Sequence, residues 1–333
     1  MKILVIAPSW IGDSIIAQPL FTRLHERHPG LILDVFAPPW VAPALAHMAE
    51  VRRIIVNPYT HGQLRLAGRW RLGRQLAREG YDATIVLPNS WKSALLPLFA
   101  GIRSRIGFLG EARYGLINRI VPLNKQAVPL LVDRYALLAG GDNNPSTPLP
   151  EATLIVDPRE MRATLASLGL SDDPAPVVFC PGAEYGPAKR WPAEHFAALA
   201  RELHADGHPV WLVGSAKDAT IGNEIAAQAP GACANLCGKT TLAQAIALIA
   251  AARLVVSNDS GLMHVAAALK RPLVALFGSS SPRYTPPLSK QAQVIWLELA
   301  CSPCFERICP LGHFRCMQDI TPARVLQLAR QSL

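Results

Sequence analysis

Twice along its length this chain alternates short apolar runs with amphipathic stretches, and few architectures accept that rhythm. A run that recurs after each helical stretch reads as a parallel strand, because every return to the same edge of a sheet needs a crossover long enough to hold a helix. In the first half Lys2 to Ala7, Leu31 to Phe36, Arg53 to Val56 and Ala83 to Leu87 read as strands, with helices predicted near Ile15 to Arg27, Gly62 to Glu79 and Lys92 to Phe99. A Pro- and Asn-rich stretch, Gly140 to Pro150, and a second break at Ser171 to Pro176 mark the linker region, with Pro158 to Leu168 as a bridging helix. The rhythm resumes with strands at Val177 to Cys180, Pro209 to Val213, Leu254 to Ser257, Leu273 to Phe277 and Val294 to Leu297. Helices are predicted between them near Ala193 to Asp206, Ala219 to Ala229, Leu242 to Ala251 and Leu262 to Leu269. The expectation is an α/β chain of two units, 1–156 and 157–333, each a doubly wound parallel sheet, with a C-terminal helix that packs back on the first unit. Such sheets bind ligands outside the carboxyl ends of their strands.

Half of the 333 residues are hydrophobic and 17% are charged, which excludes a disordered chain. Lys2 ahead of the apolar run Ile3 to Ala7 imitates a secretion signal, but Pro8 and Asp13 interrupt it and no small-residue cleavage site follows. The uncharged stretch Thr240 to Ala252 falls well short of the ~18 residues of a membrane span, so a soluble or peripheral protein is expected. Seven cysteines without a signal argue for a reducing compartment and against a disulfide framework. The net charge of +9 is uneven: residues 1–150 hold 17 of the 33 Lys and Arg but 9 of the 24 Asp and Glu. The first half is therefore expected to meet something anionic, whether nucleic acid, lipid head groups or a phosphorylated substrate.

Three turns carry residues suited to chemistry. Ser9-Trp10-Ile11-Gly12-Asp13-Ser14, after the first strand, lacks the G-x-G-x-x-G dinucleotide fingerprint. Its Asp13 either caps the following helix or, kept ionised by the helix N-terminus, takes a proton late from a hydroxyl attacking an electron-poor carbon. The loop Pro181-Gly182-Ala183-Glu184-Tyr185-Gly186-Pro187-Ala188-Lys189-Arg190-Trp191-Pro192 can bring backbone N–H groups and the Lys189 charge against a diphosphate, or can be an exposed basic loop. In Ser257-Asn258-Asp259-Ser260-Gly261-Leu262-Met263-His264, Asp259, Ser260 and the amides of Gly261 and Leu262 lie at a helix N-terminus, with His264 facing the site or packing in the core. Gly238-Lys239-Thr240 resembles the end of a triphosphate-binding loop, but the required first glycine is Cys233, which rules that loop out.

Cys301, Cys304, Cys309 and Cys316, with His313 among them, run C-x2-C-x4-C-x6-C. The first pair has zinc spacing and the rest does not, so packed thiols under a long loop are expected rather than a metal. Arg65, Arg69, Arg71, Arg74 and Arg78 decorate one predicted helix, either as a solvated face or as a dock for anionic lipid. RNA is disfavoured because stacking aromatics are not interleaved with them.

Taken in order, W-I-G-D, N-S-W-K-S-A-L-L-P-L-F-A-G-I-R-S-R-I-G-F, R-Y-G-L-I-N, P-G-A-E-Y-G-P-A-K-R-W-P, S-N-D-S-G-L-M-H and C-S-P-C-F-E-R-I-C-P-L-G-H-F-R-C-M span nearly the whole chain. In this order they resemble the ADP-heptose:lipopolysaccharide heptosyltransferases of glycosyltransferase family 9, and the loop and cysteine segment favour the type II branch over type I. The resemblance implies a GT-B fold, two Rossmann-like domains facing across a cleft, with the acceptor held by the first and ADP-heptose by the second. It implies inverting transfer by single displacement, with no cofactor and no obligatory metal. Asp13 matches the family's base and Lys189 the residue that neutralises the diphosphate. Gly12, Gly182, Tyr185, Ser215, Asp218, Thr240, Asp259, Ser260, Gly261, Leu262 and His264 match donor-binding positions, with Asp218 at the ribose, Thr240 near the base and Tyr185 where type I has a threonine. Lys92, Arg113 and Tyr114 are the expected acceptor contacts. The implied partner is a lipid-anchored heptosyl-Kdo2-lipid A at the cytoplasmic leaflet of the bacterial inner membrane, with no nucleic acid. The alternatives are a heptosyltransferase acting on another core position or on protein, and a non-catalytic nucleotide-sugar-binding protein of the same fold.

Overall fold

The computed structural model describes residues 1–60, 62–140 and 148–333; most of the expected linker, 141–147, lies outside the described residues. The chain divides into two compact units, Met1–Ala152 and Thr153–Leu333.

The first unit runs β1 (Lys2–Ile6), α1 (Ile11–Ile16), α2 (Gln18–Arg27), β2 (Ile32–Ala37), α3 (Ala42–Ala46), β3 (Arg53–Val56), α4 (Leu66–Leu76), β4 (Ala83–Val86), α5 (Trp91–Phe99), β5 (Ser104–Phe108), β6 (Arg119–Val121) and α6 (Leu131–Leu137). Its six strands are all parallel in the order β3-β2-β1-β4-β5-β6. β1 and β4 are buried on both faces, which is why their sequences are continuous apolar runs rather than alternating ones. The helix expected over Ile15 to Arg27 is two helices. Pro19 has no N–H to give an interior turn and takes instead the first turn of α2, while α1 starts at Ile11 and brings Asp13 into its first turn.

The second unit runs α7 (Pro158–Leu168), β7 (Val177–Cys180), α8 (Ala193–Ala205), β8 (Val210–Leu212), α9 (Ala219–Gln228), β9 (Ala234–Asn235), α10 (Leu242–Ala251), β10 (Leu254–Asn258), α11 (Gly261–Ala268), β11 (Leu273–Phe277), β12 (Ala292–Trp296), α12 (Arg315–Gln318) and α13 (Pro322–Ser332). The parallel order is β12-β11-β10-β7-β8-β9, so each unit repeats the same doubly wound topology. The α/β class expected from the rhythm is the observed one. The Pro158 to Leu168 helix packs on α10 and lies in the second unit. The C-terminal helix α13, expected to pack back on the first unit, buries Val325, Leu326 and Ala329 in the second unit's core beside Phe196 and Leu276. Among the described residues no helix is long and apolar enough to cross a membrane.

Candidate active site

In the second sheet the order reverses between β7 and β10, which lie side by side with Cys180 opposite Ser257. Chain leaving two such strands parts to opposite sides and opens a crevice at their carboxyl ends. The loop after β7 and the turn after β10 are stapled there by Asn258, fully buried, whose Nδ2 donates to Pro181 O (2.7 Å) and whose Oδ1 accepts from Trp191 N (3.1 Å). Trp191 is fully buried against Phe196 and donates its indole N–H to Ile320 O (2.8 Å). With both ends pinned, the loop presents a single 3₁₀ turn, Pro187–Lys189. Lys189 Nζ lies 2.6 Å from Asp259 Oδ2, which also accepts from Ser280 Oγ at 2.5 Å. The Lys189 side chain is 17% exposed and that of Asp259 5%. The Tyr185 ring lies 5.2 Å from the ammonium and its hydroxyl donates to Phe305 O, while Ala188 N donates to Arg307 O. The cysteine segment therefore buttresses the lysine-bearing loop.

Ser260 is the N-cap of α11 and makes no side-chain cap hydrogen bond, so the first-turn amides of Gly261 and Leu262 stand at an uncapped helix N-terminus suited to an anion. One turn in, His264 is buried and its imidazole is pushed down to about 4, by burial first and by the Lys189 charge, against the opposing pull of Asp259. It is a neutral packed ring beside the ion pair. Gly182 is required by a close approach: a Cβ there would stand 2.4 Å from the Asp218 carboxylate. Asp218 in turn accepts from Ser215 N (2.9 Å) and Ser215 Oγ (2.7 Å), a capping arrangement that fixes it beneath the glycine. The Thr240 hydroxyl is buried and makes no hydrogen bond among the described residues.

In the first unit the reversal falls between β1 and β4. Trp10 is the N-cap of α1 with no side-chain cap bond, so Asp13 is not the cap but a half-buried carboxylate in the first turn, next to buried Gly12. Lys92 is half-buried in the first turn of α5 and Tyr114 is 69% exposed. Arg113, an expected acceptor contact, is 1% exposed. Its guanidinium donates to the carbonyls of Pro88 (2.6 Å), Ser90 (3.2 Å) and Phe108 (2.8 Å), so it braces the loop after β4 and offers no face to a ligand. Arg69 is likewise not part of a basic surface: it is buried, donates to Leu64 O (2.7 Å) and stacks over Tyr59. Trp10 and Trp40, on the loops after β1 and β2, and Trp91, the first residue of α5 after β4, are exposed at the carboxyl edge of this sheet, with Trp40 Nε1 bonded to Ser9 O (2.8 Å).

The family model of glycosyltransferase family 9 (heptosyltransferase) matches residues 69–315. The chain belongs to that family. It is 48% identical over 337 residues to lipopolysaccharide heptosyltransferase 2 of Escherichia coli K12, covering 98% of this chain and 97% of that one. It is 44% identical to lipooligosaccharide heptosyltransferase 2 of Haemophilus influenzae, covering 100% and 99%. The solved structure of E. coli ADP-heptose LPS heptosyltransferase II superposes with a TM-score of 0.89 at 47% identity, covering 100% of this chain and 98% of that one. A family 9 structure from Veillonella parvula at 21% identity, covering 99% and 96%, has a TM-score of 0.85 and shares the fold.

In this family 9 glycosyltransferase the second unit thus gathers Lys189, Asp259, His264, Tyr185 and the α11 N-terminus at the end of two neighbouring strands. Gly182, Ser215 and Asp218 form a separate, mutually supporting group after β7 and β8. Sequence reasoning misses Asn258 as the staple and Ser280 as the second donor to Asp259; the only signal for the latter is the run Ser279-Ser280-Ser281 after β11. All seven cysteines are free. Those of the late segment are half-buried rather than packed away, and only Cys316 lies against the core. Among the described residues no group of three or more His, Cys, Asp or Glu is placed to hold a metal ion.

Proposed function

We propose that this chain transfers L-glycero-D-manno-heptose from ADP-heptose to the first heptose of heptosyl-Kdo2-lipid A. The observation that carries the reading is the Lys189 ammonium, held at the switch point of the second sheet beside the uncapped N-terminus of α11. A diphosphate leaving group needs positive potential at that kind of place, and a lysine with a helix N-terminus supplies it without an obligatory metal. The donor is assigned to the second unit. Its adenosine meets Thr240, whose buried hydroxyl makes no hydrogen bond among the described residues, and Asp218, whose carboxylate underlies the Gly182 backbone. The acceptor is assigned to the first unit, with Lys92 and Tyr114 as contacts and Asp13 as the base. The acceptor hydroxyl attacks the anomeric carbon from the face opposite the diphosphate. The new C–O bond forms as the old one breaks, ADP leaves with the electron pair, and the hydroxyl proton passes to Asp13.

The 48% identity to a lipopolysaccharide heptosyltransferase 2 and the 44% identity to a lipooligosaccharide heptosyltransferase 2 favour this acceptor over another core position or a protein. A peripheral place at the cytoplasmic leaflet fits the exposed Arg71, Arg74 and Arg78 of the α4 region, with Leu66 and Trp70 exposed on the same helix. The test is to incubate the protein with ADP-heptose and, separately, heptosyl-Kdo2-lipid A, Kdo2-lipid A and a protein acceptor, following ADP release and product mass. Turnover is expected with the first alone. Turnover with Kdo2-lipid A instead would move the enzyme to another core position. Tight binding of ADP-heptose with no ADP released in any reaction would leave a binding protein.

A further inference from the structure

Ser279, Ser280 and Ser281 follow β11 and are 1%, 4% and 6% exposed. Turn chemistry accounts for one of them, since Ser281 Oγ accepts from Arg283 N (3.1 Å) as a local turn cap. Ser280 does something else: its hydroxyl donates to Asp259 Oδ2, the same oxygen that receives the Lys189 ammonium. We propose that Ser280 is a positioning residue of the donor site, fixing the Asp259 carboxylate so that Lys189 is aimed at the departing diphosphate; the inference rests on the transferase reading above.

The backbone around Ser280 is fastened in a way that suits this task. β10 and β11 pair with Asn258 opposite Leu276, and Asp259 N donates to Leu276 O (3.0 Å), so the two strand ends advance together. Gly278 then passes against the lysine-bearing turn: a Cβ there would lie 2.4 Å from Met317 Sδ and 3.2 Å from Ala188 O. Gly278 O accepts from Ser302 Oγ (2.6 Å) and Ser279 O from Phe305 N (2.7 Å). Ser280 therefore departs from a backbone held on three sides.

A lysine has four rotatable side-chain bonds and cannot orient its own charge. Its seat is set by the carboxylate, and a carboxylate with one donor can rotate and follow the ammonium. A second, charge-assisted donor on the same oxygen fixes the plane of that carboxylate and takes up part of its charge, which leaves the ammonium's remaining N–H groups directed at an incoming anion. A hydrogen bond to a charged group is typically worth about 10–100-fold when removed.

The test is a double-mutant cycle on the full-length protein. Ser280→Ala, Ser280→Thr, Lys189→Met and the Ser280→Ala/Lys189→Met pair are compared by calorimetry with ADP, by kcat and KM for ADP-heptose, and by melting temperature. Ser280→Ala should weaken ADP binding and lower kcat by about tenfold, and lower the melting temperature by less than Lys189→Met does, because Asp259 keeps the ammonium. Ser280→Thr should restore both to within about threefold, because it keeps the hydroxyl. In the Lys189→Met background the alanine change should alter ADP affinity by less than about twofold, as expected when one residue acts through the other. Where alanine prevents folding, Ser280→Cys replaces it, and its weak thiol donor should give the same loss. Wild-type values in Ser280→Ala, or an equal loss in the Lys189→Met background, would overturn the proposal. The ADP arms need no turnover: coupling between the two sites in a protein that releases no ADP would sustain the positioning role and refute the transferase reading.

Discussion

The Lys189 ammonium and the Asp259 carboxylate, 2.6 Å apart, close an ion pair between the loops of two neighbouring strands, and its two ends are unequally shielded. The lysine side chain keeps 17% of its exposure and the aspartate 5%. A charge left alone is costly in proportion to its burial, so the two single substitutions should not be equivalent. Lys189→Met, which strands the buried carboxylate, should cost about 1–3 kcal/mol, below the ~3–5 of a fully enclosed pair. Asp259→Asn should cost less, because the lysine can swing toward water, and the double variant should regain part of the loss. Urea unfolding of the three proteins decides it, and equal losses in the two singles would contradict the asymmetry.

Asp13→Ala should lower turnover by about 10²–10⁴, the range of a positioned general base, and leave ADP affinity unchanged. The structure removes the competing explanation that Asp13 is the helix cap, since that place belongs to Trp10. Near-normal turnover in the variant would return Asp13 to a role in the packing of α1.

Gly182→Ala should damage the donor site without touching the lysine. The new methyl would meet Asp218 at 2.4 to 2.5 Å, so either the Ser215 capping arrangement opens or the backbone after β7 moves. Overpacking of this kind costs about 1–3 kcal/mol. ADP affinity should fall with stability, and Gly182→Ala/Asp218→Ala should recover the stability but not the affinity. An undisturbed melting temperature in the single variant would show that the loop yields freely.

How far sequence reaches is visible in which strands it finds. β1, β4, β7, β10 and β11 are almost wholly buried and mostly apolar, so each reads correctly within a residue or two. β5 (Ser-Arg-Ile-Gly-Phe), the three-residue β6 and the two-residue β9 do not declare themselves, being short or half polar. At the site, Asp259 stands out because a tight turn between strand and helix carries more polar residues than a cap requires, and Lys189 because a Gly-containing loop after a strand carries its charge. Ser280 does not, because a serine run after a strand looks like any loop until the neighbouring strand end is placed beside it. Arg113 and Arg69 mislead in the opposite direction: charge suggests surface, whereas a guanidinium with five donors can be buried wherever carbonyls converge.

His264 should make stability depend on acid pH. Its folded value is pushed down to about 4 from 6.5, so between those values the unfolded chain binds a proton that the folded chain refuses. The stability it contributes is complete above about pH 6.5 and is lost as pH falls toward 4, amounting to at most about 3 kcal/mol. His264→Gln should flatten the stability profile across that window. A profile that runs parallel to wild type would mean that the imidazole accepts its proton in the folded protein.

The basic surface of the first unit is smaller than the sequence suggests, which narrows what can meet an anionic membrane. Of the arginines along the α4 region, Arg69 is spent on Leu64 O and on the Tyr59 ring, while Arg71, Arg74 and Arg78 are exposed. Each exposed arginine near an anionic leaflet is worth about 1 kcal/mol, so changing Arg71, Arg74 and Arg78 to Gln should weaken association with anionic vesicles by up to about 3 kcal/mol. Arg69→Gln should leave vesicle binding alone and lower the melting temperature instead, because its partners are backbone carbonyl and ring rather than head groups. ADP affinity should not change in the triple variant, since its nucleotide contacts are assigned to the second unit. Raising the salt should reproduce the triple change on wild type, as exposed charges are screened beyond about 8–10 Å at ordinary ionic strength. Vesicle binding that ignores both the mutations and the salt would place the membrane contact on uncharged groups, with exposed Trp70 and Leu66 of the same helix as the next residues to replace.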